Sequence, residues 1–144
     1  SEPLYGLFIL NGGIVFYSDL VRELSRLAFY DIHFKSVKLK SYQGTESTGD
    51  IKLKKDVEGI SGKDVLIVDD IIDTGRSMHF LKEHLEKKGV KRIKICTLLD
   101  KPSRRKVDLE IDFTGFTIPN KFTGGMGMDC DQRFRNLPFV GYIK

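Results

Sequence analysis

The chain has 144 residues, enough for one domain with a sizeable core and too few for a second full domain. Hydrophobic residues make up 40% and charged residues 31%, ordinary for a globular protein, and no run approaches the roughly 18 apolar residues of a membrane span. The net charge of +4, from 24 basic against 20 acidic residues, helps an acidic small molecule bind without implying a polyanionic partner.

The two cysteines, Cys96 and Cys130, stand far apart. With no CxxC pair, they read as reduced thiols of a cytosolic protein, and a structural zinc site is not expected. The start, SEPLYGLFILNGG, lacks the basic n-region and cleavage motif of a signal peptide.

LYGLFIL, residues 4 to 10, is a short apolar run stopped by Asn11, Gly12 and Gly13, and predicts a buried strand of a parallel sheet. From Phe16, apolar residues recur at Leu20, Val21, Leu24 and Leu27, with Arg22, Glu23, Ser25 and Arg26 on the other side, as in an amphipathic helix. IHFKSVKLK, residues 32 to 40, alternates apolar and polar and fits a half-exposed strand. Residues 41 to 62 are polar, rich in Gly, Ser and Thr, and read as a solvated loop or a loose two-stranded arm.

DVLIV, residues 64 to 68, predicts a second buried strand. Ser77 to Lys88, with Met78, Leu81 and Leu85 among charged residues, predicts a helix ended by Gly89. VKRIKICTLL, residues 90 to 99, is a third buried strand. LEIDFTGFTI, residues 109 to 118, is a fourth, stopped by Pro119, and FVGYI forms a terminal strand. This order favours an α/β domain with a mostly parallel central sheet flanked by helices and right-handed crossovers.

Parallel sheets bind ligands at the carboxyl ends of their strands, and there this sequence places VLIVDDIIDTGRSM, residues 65 to 78. Adjacent carboxylates repel unless a cation or hydroxyls meet them, so Asp69 and Asp70 suggest a magnesium site or a diol-binding site. A solvated acidic turn is the bland alternative. DTGRS, residues 73 to 77, joins a strand end to a helix start and offers amides and hydroxyls to a phosphate. It is neither a Walker loop nor a GxGxxG fingerprint. Asp73 beside a phosphate makes sense if positive charge or a released proton appears there during reaction.

At this point the chain resembles the type I phosphoribosyltransferases, most closely their 6-oxopurine branch. VLIVDDIIDTGRSM carries the resemblance together with ILNGG, LKSYQGTESTGDIK, CTLLDKP and DFTGFTIPNKFTGGMGMDCDQRFRNLP. It implies a phosphoribosyltransferase core with a small C-terminal hood, the N-terminal hood segment being absent from this chain. It implies magnesium-dependent transfer of 5-phosphoribosyl from phosphoribosyl pyrophosphate to N9 of hypoxanthine or guanine in purine salvage. The products would be a purine nucleotide, IMP or GMP, and pyrophosphate.

By the same resemblance Asp69 and Asp70 meet the ribose hydroxyls and magnesium, with Asp69 one methylene shorter than the family's usual Glu. Asp73 is the general base near purine N7. Asp73, Thr74, Gly75, Arg76 and Ser77 hold the 5-phosphate, the Arg76 side chain facing solvent. Asn11 and Gly12 belong to the pyrophosphate loop, behind a cis peptide at Leu10–Asn11. Asn11 replaces a frequent Lys there. Arg135 binds pyrophosphate through its guanidinium. Lys101 reaches the 6-oxo group, Phe122 stacks on the purine, and Thr123 and Asp129 meet its Watson–Crick edge. Asp129 is also a second magnesium ligand. Ser41 and Tyr42 belong to a mobile lid over residues 41 to 62. Cys130 replaces an aromatic common in relatives, which opens the choice among hypoxanthine, guanine and xanthine. A cytoplasmic homodimer or homotetramer with no nucleic-acid or membrane partner is implied. Readings kept beside this one are a xanthine-preferring enzyme, a nucleotide-sensing regulator and an inactive phosphoribosyl binder. The unassigned basic clusters are KLKK (52 to 55) and KPSRRK (101 to 106).

Overall fold

The central strands are apolar on both sides because both sides are covered. In β1 (Leu4–Leu10), Leu7 and Ile9 turn to one core while Phe8 turns to the other. In β4 (Asp64–Ile72), Val65 and Ile67 join the first core and Val68 the second. The computed structural model describes residues 2–41 and 50–144.

Six strands form the sheet in the order β3-β2-β1-β4-β5-β6, where β2 is Ile32–Ser41, β3 Ile51–Lys55, β5 Arg92–Asp100 and β6 Phe113–Thr117. Every pairing is parallel except β2 with β3. Helix α1 (Gly13–Arg26) follows β1, and its Tyr17, Phe16 and Leu20 pack with Val68 and Cys96. Helix α2 (Arg76–Lys87) follows β4, and its Met78, Leu81 and Leu85 fill the larger core on the opposite face. The chain therefore leaves β1 for one face and β4 for the other. That reversal opens a crevice at the carboxyl ends of these two neighbouring strands, where open α/β sheets bind ligands. A separate two-stranded unit, β7 (Thr123–Gly124) with β8 (Gly141–Tyr142), forms the hood beside it.

Several boundaries differ from the sequence reading. The second buried strand runs through Ile72 rather than ending at Val68, because Ile71 and Ile72 pair with Leu99 and Asp100. Asp69 and Asp70 thus lie inside the strand. The fourth strand starts at Phe113, not Leu109: the Asp112 carboxylate accepts the Ile95 amide at 2.8 Å, so a side chain replaces the ladder there. The arm alternative holds for residues 51 to 55, which pair antiparallel with β2. Val57 and Ile60 then enter the core, and Asp56 pairs with His84 at 2.9 Å and Lys88 at 3.0 Å, fixing the end of the 41 to 62 segment against α2. Among the described residues no helix is long and apolar enough to cross a membrane.

Candidate functional site

Both helices begin at the crevice without a capping side chain and without an acidic residue in the first turn. The positive ends of their dipoles favour an anion there, while the Arg76 amide meets Thr74 Oγ1 at 3.4 Å and the Ile14 amide meets the Asn11 carbonyl at 3.3 Å. Helix α1 starts after Asn11 and Gly12, behind a cis peptide between Leu10 and Asn11, as the sequence resemblance implied. Helix α2 starts from Gly75, whose φ of +84° suits glycine and whose missing side chain leaves room for Arg105 and Val107.

The end of β4 feeds two recesses. Successive residues of a strand point to opposite faces, and here Asp69 lines one recess and Asp70 the other. The first, of about 240 Å³, collects Asp69, Asp73, Thr74, Gly75 and Ser77 with Ile9, Leu39, Ile71, Ile72 and Met78. The second, of about 170 Å³, collects Asp70, Ile71, Asp73, Lys101, Phe122, Thr123, Met128 and Asp129. Asp73 lines both. Arg76 lines neither and is exposed.

Asp69 and Asp70 are held by local geometry: the Asp70 amide donates to Asp69 Oδ1 at 2.9 Å and the Ile71 amide to Asp70 Oδ1 at 2.8 Å. Burial, then the charge of Asp70, pushes the Asp69 carboxyl well above the usual range, and no cation offsets this among the described residues. Hard oxygen donors in need of positive charge suit magnesium. No group of three metal-ligating side chains gathers among the described residues. Asp129 does not join the pair. Its Oδ2 accepts the Gln132 amide at 3.0 Å and its Oδ1 lies 3.5 Å from Arg135.

Lys101 is 5% exposed, its amide tied to the Ile72 carbonyl at 2.9 Å, so β5 sets it beside β4. Phe122, 58% exposed, leaves a ring face open and is not a core residue. Thr123 is buried and donates to Met128 Sδ at 3.5 Å. The hood meets the first loop through two glycines. Gly127, at φ +96°, lies so close to the Gly12 carbonyl that a side chain would overlap it, and Gly12 packs equally tightly on Asp70. Arg135 donates to the Gly127 carbonyl at 2.7 Å, which brings it to this junction. Asn11 is exposed beside it. Ser41 ends β2, and Tyr42 lies outside the described residues, as do residues 43–49 of the expected lid, whereas 51–55 form β3.

Sequence reasoning missed the two arginines of KPSRRK. Arg104 Nε stands 3.1 Å from Asp73 Oδ1. Arg105 donates to the Asp73 carbonyl at 3.1 Å and pairs closely with Asp100. The signal was their place three and four residues after Lys101, where a charge count reads a solvated cluster; Arg104 ends the short 3-10 helix Pro102–Arg104 and Arg105 follows it.

Residues 7–131 match the family model described as phosphoribosyl transferase domain. The chain is 45% identical to a hypoxanthine-guanine phosphoribosyltransferase of Lactococcus lactis over 148 aligned positions, covering all of this chain and 76% of that one. A Bacillus anthracis hypoxanthine-guanine phosphoribosyltransferase with a HEPES molecule in its active site superposes with a TM-score of 0.91 at 43% identity, over all of this chain and 84% of that one. A Trypanosoma cruzi hypoxanthine phosphoribosyltransferase in complex with its product IMP superposes with a TM-score of 0.92 at 30% identity, over 99% of this chain and 76% of that one.

Proposed function

The chain belongs to the phosphoribosyl transferase family, in its 6-oxopurine branch, and on that footing we propose that it transfers 5-phosphoribosyl from phosphoribosyl pyrophosphate to N9 of hypoxanthine or guanine. The observation that carries this reading is the meeting of two recesses at one carboxylate. A phosphate turn lines one, a lysine and an open aromatic ring line the other, and Asp73 lines both.

The 5-phosphate sits on the amides and hydroxyls of Thr74, Gly75, Arg76 and Ser77 at the start of α2. Pyrophosphate sits at the start of α1, on Asn11 and Gly12, with Arg135 as its charged partner. Asn11 brings no ammonium, so the uncapped helix end carries more of this binding. The purine stacks on Phe122, and Thr123 and Asp129 meet its Watson–Crick edge. As the bond from ribose C1 to pyrophosphate breaks and the bond to N9 forms, positive charge grows on the ribose. Asp73 stabilises that charge and accepts the N7 proton. Lys101 donates to the 6-oxo group, where electron density collects.

Asp69 and Asp70 would hold magnesium, with Asp129 as a further ligand. Bound there, the ion supplies Lewis-acid stabilisation of the leaving pyrophosphate. Asp73→Asn keeps the shape and removes the base, and is expected to lower kcat by about 10²- to 10⁴-fold in a pyrophosphate-release assay. Unchanged turnover would remove Asp73 from this role.

A further inference from the structure

The carboxylate that the two recesses share has one oxygen with an unusual surrounding. Asp73 Oδ1 is out of contact with solvent and accepts no hydrogen bond among the described residues. Arg104 Nε lies 3.1 Å away, but its N–H is not aimed at the oxygen, so the contact is an ion pair held by charge alone. A buried anionic oxygen without a donor is costly, and a guanidinium beside it offsets that cost.

We propose that Arg104 is a positioning residue for Asp73, an assignment that rests on the transferase reading above. By holding Oδ1, Arg104 leaves Oδ2 as the oxygen that takes the N7 proton. The same turn carries Lys101: the Arg104 amide donates to the Lys101 carbonyl at 3.3 Å. Arg105 grips the backbone of Asp73 from the next position. One short segment therefore fixes both the donor to the 6-oxo group and the orientation of the N7 base. Both groups line the second recess.

Arg104 is half exposed, so its substitution spares the core. The test compares wild type, Arg104→Met and Arg104→Lys, each also combined with Asp73→Asn, by steady-state release of pyrophosphate and by thermal melting. Arg104→Met is expected to lower kcat about tenfold while the KM for phosphoribosyl pyrophosphate changes less than about twofold. Arg104→Lys should recover most of the loss. In the Asp73→Asn background, Arg104→Met should cost nothing further, because its effect runs through the carboxylate. Equal kcat in wild type and Arg104→Met would overturn the assignment. So would the same tenfold loss in both backgrounds, or a loss that Lys does not recover and that follows a fall in Tm. A wild type that releases no pyrophosphate with any 6-oxopurine would instead overturn the transferase reading, and this assignment with it.

Discussion

Asp69 shows what the site costs the fold. Its carboxyl is pushed up by burial and by Asp70, so the folded chain binds that proton more tightly than the unfolded chain does. Stability of the metal-free protein must then fall as pH rises from the ordinary carboxylate range through the raised one. Asp69→Asn keeps the oxygen that accepts the Asp70 amide and removes the charge. It is expected to raise the Tm of the metal-free protein at neutral pH and to flatten this pH slope, while weakening magnesium-dependent binding of the donor. Melting curves across pH, with and without magnesium, check both parts. A Tm that does not rise would mean the charge is already compensated. The residue types of this site were legible in the sequence, since DDIIDTGRS has few uses at a strand end. What was not legible was how neighbours divide the work. The sequence cannot say that Asp69 and Asp70 line different recesses, or that Arg104 stands against Asp73, because both depend on strand pleat and on a turn that arrives from another strand.

At the scale of elements, glycines decide how closely the parts approach. Gly6 in β1 lies under the Tyr17 hydroxyl, which donates to its carbonyl at 3.4 Å, so α1 sits low on the sheet and its first turn reaches the crevice. Gly127 does the same for the hood against Gly12. Gly127→Ala meets both a positive φ and a backbone carbonyl, and is expected to destabilise the fold by about 1 to 3 kcal/mol. It should also raise the KM for the pyrophosphate-bearing donor about tenfold, since Arg135 and the first loop lose their common anchor. Melting and steady-state kinetics on this variant measure the two effects, and an unchanged KM would separate the hood from donor binding. Element types and order were readable from hydrophobic period and glycine stops. Boundaries were not, wherever a side chain such as Asp112 took over a ladder hydrogen bond. Val57 and Ile60 were hidden in a polar stretch, because two isolated apolar residues carry no period.

For the whole molecule, the reversal of strand order between β1 and β4 is the organising fact. It aims two uncapped helix starts at one crevice and leaves the β5 turn and the hood to line the second recess. The mostly parallel sheet was legible from the sequence. The separate hood sheet was visible only through the family resemblance, since β7 and β8 are two residues each and carry no pattern of their own. On the proposed reading, choice among hypoxanthine, guanine and xanthine would rest with Lys101, Phe122, Thr123, Asp129 and the Cys130 loop. The most direct test of the account is to supply magnesium, phosphoribosyl pyrophosphate and each 6-oxopurine in turn, and to measure purine mononucleotide and pyrophosphate together. Equal amounts of both with hypoxanthine or guanine, and no pyrophosphate release without a purine, are the expected result. No nucleotide with any of the three, or pyrophosphate released equally with and without a purine, would contradict it.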